Sequence, residues 1–512
     1  MTRRTSRRSS SHRRPPAGTT IPRLPFRQLR NPYPPVEIIS ADELESIHEA
    51  SLDLLERIGI NFLLPEARDI LAAAGADVEK DGMRVRFDRE LVMPHIARIP
   101  SEFTLHARNP EHSLIFGGNT INFSAVGSPP NWSDLTSGRQ PGTYDAYCDF
   151  LRLTQSTNIA QLVAGHCVEP MNIETPVRHL DATMAMIELT DKIFRIYSLG
   201  RQRTLDVLAM VRILFGINES ELADKARVFT MINSNSPLQY DIPMLWGMIE
   251  LARCKQPVMI TPFTLAGAMA PVTLAGALNL QNAEALAGLA FVQMVGPGTP
   301  MMYGGFTSNV DMKSGSPAFG TPEYVKATLI GGQLARRYGV PYRSSNVNAS
   351  NAPDAQATYE SQMSIWASVL AHANFVHHGL GWLEGGLCAS FEKFIIDAEM
   401  LQGMAEVLRP VSVTAADLAV DAIEAVGPGG HFFGSPHTME RYETAFDQPV
   451  LSDWRNFESW QENGALDATQ RAHRIYRQLL KSYEQPPLDA AIKEELDTFI
   501  ARRKQEGGAP MQ

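Results

Sequence analysis

Aromatic residues at the ends of predicted strands are the first feature of this sequence that could do chemistry. The faces of such rings attract a quaternary ammonium group, by about 0.5–2 kcal/mol per well-desolvated face. Two acidic residues in the same loops, Asp311 and Glu384, could add negative potential. One such ring alone more often reflects core packing, but together the rings predict a cage for a cation. The four rings belong to Phe263, Tyr303, Phe306 and Trp382.

Strongly reactive side chains are scarce at these strand ends. The segment RSSNVNASNAPDAQATYE, residues 343–360, contains no Cys, His or Lys. No G-x-S-x-G motif of a serine hydrolase occurs, and the Gly-rich VGPGGHFFGSPH, residues 426–437, lacks the Lys-Ser/Thr of a phosphate-binding loop. The strand ends therefore offer glycines, amides and aromatics rather than a nucleophile.

A metal site is the main alternative for the few ligand-type residues. His166 and Cys167 are sequence neighbours at a strand end, so their side chains should point to opposite faces, and the same holds for His377 and His378. A zinc ion held by Cys167, His377 and Glu384 is sterically conceivable. The preferred interpretation is that Cys167 is a small core residue and that the chain holds no metal.

The elements that must position these residues follow a regular alternation. Short apolar segments recur along the chain, and amphipathic helical segments such as DAYCDFLRLTQS and TPEYVKATLIGGQLARRYG separate most of them. This pattern predicts an α/β fold, a (β/α)8 TIM-type barrel with N-terminal and C-terminal helical additions. An open doubly wound sheet is the alternative, but its G-x-G-x-x-G fingerprint is missing. The predicted strands are TINFSAV, IAQLVAG, IFRIYSL, RVFTMIN, PVMITPF, PMMYGGF, VPYRSSN and NFVHHGL.

The chain divides by composition and pattern into four predicted parts. Residues 1–35 form an Arg/Ser/Pro-rich tail that should be disordered. Residues 36–112 should form accessory helices and a hairpin, beginning with a helix capped by Ser40 and Glu43. The barrel follows over residues 113–445, and residues 446–512 form a C-terminal helical extension.

Charge and cysteine content exclude several classes of protein. The formal net charge is -10 although the first 30 residues carry nine arginines and no acid, so the remaining chain is strongly acidic and unsuited to nucleic acid. No apolar run is long enough to cross a bilayer. The four cysteines are far apart and no secretory signal is evident, which predicts a cytoplasmic protein without disulfides.

Several long motifs, in order, resemble the trimethylamine methyltransferase family. They are GSPPNWSDLTSGRQP, GAMAPVTLAGALNLQNAEALAGL, VDMKSGSPAFGTPE, GWLEGGLCASFEKFIIDAEM and VGPGGHFFGSPHTMERYE, and the likeness runs from about residue 36 to 505. The resemblance implies a barrel that passes a methyl group from an amine to the cobalt of a separate corrinoid (cobalamin) protein. It implies no cofactor bound by this chain itself, and we also expect a homo-oligomer.

One departure from the family pattern bears on the substrate. Family members that demethylate trimethylamine carry pyrrolysine in the loop that here contains Ala352, an ordinary residue. The chain therefore resembles the non-pyrrolysine branch, some of whose members demethylate glycine betaine or related quaternary amines. The ammonium nitrogen departs as a neutral amine, so Co(I) can attack the methyl group while the protein positions and desolvates the substrate.

The resemblance also suggests roles for individual residues. The four aromatic residues would cage the ammonium, and the catalytic group would comprise Glu384, Asp311 and His377. Either His377 or Arg343 would hold a substrate carboxylate. The residues that shape the mouth in place of pyrrolysine would be Asn346, Asn348, Asp354 and Gln356. The corrinoid partner would lie against Gly429, Gly430 and His431.

Two other functions remain open at this point. A barrel lyase or hydrolase that works without a corrinoid could use His377 with Glu384 as its acid–base pair on an amine substrate. A non-catalytic sensor of quaternary amines could use the same cage without transferring a methyl group. The sequence does not distinguish glycine betaine from carnitine, proline betaine or choline.

Overall fold

Eight short strands, each followed by a helix, build the centre of the molecule. The computed structural model describes residues 24–509. The strands are β1 (Thr120–Ala125), β2 (Leu162–Val163), β3 (Ile193–Phe194), β4 (Thr230–Ile232), β5 (Val258–Ile260), β6 (Met301–Gly304), β7 (Tyr342–Ser345) and β8 (Phe375–Leu380). The helices that follow them are α1 (Tyr144–Ser156), α2 (Arg178–Leu189), α3 (Arg201–Phe215), α4 (Ile242–Arg253), α5 (Leu274–Val295), α6 (Pro322–Tyr338), α7 (Ala355–Leu370) and α8 (Phe391–Val407).

The eight strands form one parallel sheet in the order β3-β2-β1-β8-β7-β6-β5-β4. The two ends of this order also meet, because Arg195 after β3 forms a parallel bridge with Phe229 before β4. There the Ile196 N–H donates to the Phe229 carbonyl over 2.9 Å. The predicted alternation of strands and helices is confirmed, and the strongly curled sheet is consistent with a TIM-like barrel.

A hairpin covers the end of the sheet opposite the strand carboxyl ends. Its two strands, Glu102–Leu105 and Leu114–Gly117, pair antiparallel. Their apolar side chains share one buried cluster with side chains from the strands, so this part of the interior is filled by packing. The cluster contains Phe103, Leu105, Leu114 and Phe116 of the hairpin together with Leu162, Ile193, Phe229, Met259, Met302 and Phe375.

The N-terminal elements agree with their sequence patterns. A helix runs over Ala41–Asp53, and its N-cap Ser40 forms a capping box with Glu43. A π-helical turn (Leu54–Ile58), a helix (Pro65–Ala73) and a further helix (Arg89–Ile96) follow. Between these two helices the strands Asp77–Val78 and Arg84–Arg86 form the predicted hairpin, and Ile60–Phe62 extends it.

The tail predicted for residues 1–35 lies only partly within the described chain. Its first 23 residues are outside the described residues. From residue 24 onward the chain runs along the sheet, and Leu29–Arg30 pairs antiparallel with Thr120 and Ile121 of β1.

The C-terminal helices Phe457–Glu462, Ala468–Lys481 and Ala490–Gln505 lie on the helical layer outside the sheet. The Tyr476 hydroxyl donates to Asp134 over 2.8 Å, and Arg503 Nε donates to Asp206 of α3 over 2.8 Å. These polar contacts fix the extension to the central domain. None of the helices within residues 24–509 combines the length and the apolar content that a membrane span requires.

Candidate active site

A cavity of about 280 Å³ lies at the carboxyl ends of the parallel strands. Seven of the eight strands contribute lining residues, either from their last positions or from the loops that follow. Ligands of parallel sheets bind at this end, where strand ends and loops converge. The lining residues that matter most below are Arg195, Tyr197, Phe263, Phe306, Arg343, His377, His378 and Trp382.

Three aromatic rings form one wall of this cavity. The rings of Phe263 and Phe306 have centroids 5.1 Å apart, and those of Phe306 and Trp382 are 6.1 Å apart. Phe319, which is itself buried, packs behind all three at 5.5–6.4 Å. Because these rings face a shared space, they provide the geometry that a quaternary ammonium group needs.

Backbone and side-chain contacts fix the orientation of Trp382. Its indole N–H donates to the Asn348 carbonyl over 3.1 Å, while the Asn348 amide donates to the Trp382 carbonyl over 2.7 Å. A Cβ atom at Gly386, where φ is +98°, would lie 2.5 Å from the indole ring. Only glycine therefore fits against this face of the ring.

Two buried arginines, Arg195 and Arg343, line the same cavity without an acidic partner. Within residues 24–509 neither guanidinium forms an ion pair with a carboxylate, and the Nε of each has no hydrogen-bond partner. Arg195 donates to Ser128 Oγ over 3.2 Å. Arg343 donates to the Gly305 carbonyl over 3.5 Å, and its guanidinium lies 5.4 Å from the Phe306 ring centroid. Burial lowers the pKa of Arg343 to about 10, and the nearby Arg195 acts in the same direction.

An unpaired buried cation is costly, so its persistence in a cavity points to a ligand. A guanidinium binds a carboxylate through two parallel N–H donors, and it does so best where water is excluded. The arginines and the aromatic wall together fit a small zwitterion with a carboxylate at one end and an ammonium at the other.

His377 and His378 both line the cavity, although their neighbouring positions predict opposite faces. The register of β8 against β1 shifts between Val376 and Leu380, and His378 adopts a φ of +57°. The expectation that the two side chains diverge is therefore wrong, because a bulge interrupts the alternation. Their ring centroids are only 3.6 Å apart.

Hydrogen bonds fix the orientation of the two imidazole rings and the tautomer of His378. His378 Nδ1 accepts the Gly127 N–H over 3.1 Å, which places the proton of the neutral ring on Nε2. His377 Nδ1 lies 3.1 Å from Ser124 Oγ, and its buried Nε2 has no partner among the described residues. Burial lowers the pKa of both histidines well below its usual value, and Arg343 and Arg195 add to the effect. Both rings are therefore neutral near pH 7.

The neutral histidines predict how stability responds to acid. Below about pH 6.5 the unfolded chain binds protons at these positions and the native state does not. The free energy of unfolding therefore falls as the pH is lowered. Each histidine contributes up to about 1.4 kcal/mol per pH unit to this fall. Denaturant unfolding at pH 7.5 and pH 5.5 should show a smaller loss for the H377Q/H378Q variant than for the wild type. An equal loss in both proteins would contradict the neutral, buried state of the pair.

Tyr303 lies beneath the cavity and does not line it. Its ring is fully buried, and its hydroxyl donates to Asn282 Oδ1 over 3.1 Å and accepts from the Gln281 amide at 3.4 Å. The ring packs 5.9 Å from that of Tyr338. Tyr303 is thus placed to support the wall from below, and its predicted contact with the ammonium stays a prediction.

The two predicted acids are engaged by other groups. Glu384 accepts the Arg139 guanidinium Nε at 2.9 and 3.1 Å, at the rim beside the lining residues Gly385 and Gly386. Asp311 is exposed and accepts the backbone N–H groups of the turn that follows it. In this structure each acid orders its loop, and the predicted catalytic role of both stays a prediction.

The Arg139 contact predicts a mild phenotype at Glu384. Exposed ion pairs of this kind contribute about 0–1 kcal/mol, so the activity of the Glu384→Gln variant should stay within about threefold of the wild type. Steady-state kinetics with the best substrate of the wild type measures this directly. A loss of activity of a hundredfold or more would instead show that the Glu384 carboxylate is catalytic.

The side chains of the alternative zinc site do not converge. Within residues 24–509, the only group of three His, Cys, Asp or Glu side chains whose ligand atoms lie within 4.8 Å of one another is at residues 45–49. Cys167 is completely buried and does not line the cavity, and burial raises the pKa of its thiol to about 12. Its environment is that of a core residue.

The comparisons with known proteins identify the family. The sequence model described as trimethylamine methyltransferase (MTTB) matches residues 3–508, which is nearly the whole chain. The chain belongs to the trimethylamine methyltransferase family. The match begins earlier than the likeness noted in the motifs, and so it includes part of the Arg-rich N-terminal segment.

Relatives in this family cover more than nine-tenths of the chain. A glycine betaine methyltransferase of Desulfitobacterium hafniense (strain Y51) is 38% identical over 93% of this chain and 98% of its own. The trimethylamine methyltransferase MttB of Desulfitobacterium hafniense (strain DSM 10664 / DCB-2) is 30% identical over 92% of this chain and 94% of its own. MttB2 of Methanosarcina mazei is 26% identical over 91% and 94%.

The loop that contains Ala352, which is predicted to match the pyrrolysine loop of some relatives, lies between β7 and α7. Ala352 is exposed in it and does not line the cavity. Asp354 caps α7 by accepting the Ala357 N–H over 3.2 Å, and the Gln356 amide donates to Glu360 over 2.9 Å. These side chains order the loop, and their predicted contribution to the cavity mouth stays a prediction.

Asn346 and Asn348 are buried next to the cavity rather than at its surface. The Asn346 amide donates to the Gly379 carbonyl over 3.0 Å, and Asn348 holds Trp382 as described above. Both side-chain oxygens lack a hydrogen-bond partner among the described residues. Unpartnered buried acceptors beside a cavity are expected at a site that binds a ligand or ordered water.

The predicted contact with a corrinoid protein involves a segment far along the chain from the cavity residues. Gly429, Gly430 and His431 are exposed in the loop between the short helices Val420–Val426 and Pro436–Arg441. None of the three lines the cavity. Their contact with a corrinoid partner in this trimethylamine methyltransferase family member stays a prediction.

Arg195, Tyr197 and His378 are the important lining residues that sequence reasoning missed. Arg195 and Tyr197 are two positions apart in the extended chain after β3, and the Arg195 guanidinium lies 4.6 Å from the Tyr197 ring centroid. The motif IFRIYSL indicated such a residue, because the guanidinium of an arginine within an apolar strand must lie in a polar environment. Functional residues were expected only in the loop beyond this strand.

Proposed function

We propose that this protein transfers a methyl group from glycine betaine, or a closely similar betaine, to the Co(I) of a corrinoid carried by a separate protein. The observation that carries the proposal is that two buried arginines without an acidic partner, Arg195 and Arg343, line one cavity with the aromatic wall. Neither trimethylamine nor choline has a carboxylate to match them.

The substrate is bound by its two ends in this proposal. The carboxylate pairs with the guanidinium groups of Arg343 and Arg195, and the ammonium lies against Phe263, Phe306 and Trp382. A carboxylate neutralises the charge that burial makes costly, and the ring faces stabilise the ammonium without adding a fixed anion. The 38% identity to a glycine betaine methyltransferase over 93% of the chain supports the same substrate class.

The cavity residues suit a methyl donor that needs no protein nucleophile. The methyl group leaves a positively charged nitrogen, which departs as the neutral amine dimethylglycine, so no acid has to protonate the leaving group. His377 and His378 are neutral, and the cavity holds no thiol or amine that would compete for the methyl group. The chain's own tasks are to orient the substrate, exclude water and leave one methyl group facing the mouth.

A corrinoid fits this arrangement as a carrier-bound group rather than a resident cofactor. The cavity opens at the loop end of the strands, and its volume of about 280 Å³ suits a small amine but not a corrinoid. When presented there, a Co(I) corrinoid supplies a strong nucleophile for a methyl carbon. Gly385 and Gly386 at the rim allow close approach to the mouth.

We also infer that the curled sheet is a closed (β/α)8 barrel. Arg195 and Phe229 join the two ends of the strand order through a parallel bridge. Closure explains why lining residues from opposite sides of the sheet, such as Phe263 and Gly127, border one cavity.

The experiment mixes the purified protein with chemically reduced cobalamin and follows the loss of the Co(I) absorbance. The panel comprises glycine betaine, carnitine, proline betaine, choline and trimethylamine, and dimethylglycine formation is measured for the betaine sample. We expect transfer from glycine betaine at least roughly 100-fold faster than from choline or trimethylamine. Amine breakdown without a corrinoid would support a lyase or hydrolase, and tight binding without any transfer would support a sensor.

A further inference from the structure

A long excursion of the chain beyond α8 buries almost nothing within the described protein. It leaves α8 at its end and returns to the same helix, where Glu399 accepts the backbone N–H groups of Val450 and Leu451 over 2.9 and 3.1 Å. We call residues 409–457 the apolar excursion. Within it only Ser435 and Leu451 are buried against residues 24–509.

The apolar excursion presents large apolar side chains to solvent. Phe433 is 87% exposed, Val411 83%, Phe446 77% and Trp454 74%. Scattered exposed apolar residues are ordinary, but a monomer rarely exposes a contiguous patch above a few hundred Å². Because an aromatic side chain alone offers about 150–250 Å², the exposed fractions correspond to on the order of 1,000 Å² of apolar surface.

The helices of the apolar excursion have no core of their own. Ala415–Leu418, Val420–Val426 and Pro436–Arg441 contain no buried residue. Side-chain hydrogen bonds within this stretch are local ones such as that from the Ser412 hydroxyl to Asp417, over 2.6 Å. Helices this short are not stable in isolation, so an ordered excursion requires apolar cover from outside the described chain.

We propose that the apolar excursion is the contact surface between copies of this chain in a permanent homo-oligomer. Its apolar area is comparable to the roughly 800 Å² per partner that a stable interface buries. Obligate interfaces between identical subunits are the most apolar class, whereas short-lived encounters with a carrier protein use more polar surfaces. A second copy is also present whenever the chain is present, as constitutive cover requires.

Two other occupants match the surface less well. The N-terminal residues 1–23 contain Met1 and Ile21 as their only large apolar side chains, so they offer little to cover aromatic rings. A corrinoid protein, whose predicted contact at Gly429, Gly430 and His431 lies within this excursion, has to leave after each transfer and would expose the surface again between encounters. An oligomer contact here therefore competes with that predicted corrinoid contact. The proposal does not depend on which amine the cavity binds.

The first test measures the mass of the full-length protein in solution. Light scattering after size-exclusion chromatography should give an oligomer for the wild type at micromolar concentration. The F433D/F446D variant should dissociate at least roughly 100-fold more readily and run as a monomer, because two charges would enter an apolar contact. The matched control is Met83→Asp, at a side chain that is 52% exposed outside the apolar excursion, and it should keep the wild-type mass.

Hydrogen–deuterium exchange on the wild type makes the proposal testable even if the double variant fails to fold. An oligomeric mass together with slow exchange in residues 409–457 supports it. A monomeric wild type, or fast exchange of the apolar excursion within an oligomer, overturns it. Protection that disappears on deletion of residues 1–23, or that arises only on addition of the corrinoid protein, also overturns it and assigns the surface to that occupant.

Discussion

The Arg343→Met variant should lower kcat/KM for glycine betaine by roughly 10²–10³-fold. Removing one side of a desolvated charge pair costs about 2–5 kcal/mol, and each 1.4 kcal/mol corresponds to a tenfold change. The same change should leave the ligand-free protein as stable as the wild type or more stable, because it removes a buried charge that has no acidic partner within residues 24–509. Initial-rate kinetics and thermal unfolding of the same samples measure both effects.

Two controls separate carboxylate binding from general damage to the cavity. Transfer from choline or tetramethylammonium, which lack the carboxylate, should fall far less in Arg343→Met than transfer from glycine betaine. The matched variant is Arg139→Met, which removes a guanidinium from the rim pair with Glu384 and should change kcat/KM by less than about threefold. An equal loss for all substrates would contradict the assignment of Arg343 to the carboxylate.

Replacement of Trp382 by leucine should reduce kcat/KM for glycine betaine by roughly 10–100-fold. The indole ring provides a face for the ammonium, worth about 0.5–2 kcal/mol when desolvated, and it also packs against Phe306 at 6.1 Å. The loss should be largest in KM, because the ring binds the cation in both the ground state and the transition state.

A neutral isostere distinguishes cation binding from simple packing. 3,3-Dimethylbutyrate has the shape of glycine betaine with a carbon in place of the charged nitrogen. By calorimetry the wild type should prefer glycine betaine, and Trp382→Leu should reduce that preference several-fold. The control is Phe319→Leu, behind the wall, which should weaken both ligands alike. An unchanged preference in Trp382→Leu would remove this ring from the cage.

The central architecture was predictable because it depends on short-range patterns. Each of the eight apolar segments contains one of the parallel strands, as PVMITPF contains Val258–Ile260. The position of a residue at a strand end follows from the same pattern, and Phe263, Phe306 and Trp382 accordingly line the cavity. Arg343 and His377 do so as well, whereas the roles of these five residues remain to be measured.

The remaining site details depend on tertiary geometry that alternation does not encode. Tyr303 lies in the layer below the cavity because its position in β6 directs it toward the buried hydroxyl and amide groups of α5 and α6. The bulge in β8 brings His378 beside His377. The rim pairing of Glu384 joins residues 245 positions apart. No local pattern predicts such a partner.

A crystal structure with glycine betaine bound tests the account most directly. We expect the carboxylate oxygens to lie within about 2.7–3.2 Å of guanidinium nitrogens of Arg195 or Arg343. The ammonium should lie against Phe263, Phe306 and Trp382, with one methyl group facing the open end of the cavity. A reversed ligand, with its carboxylate at the mouth and its ammonium away from the three rings, would contradict it.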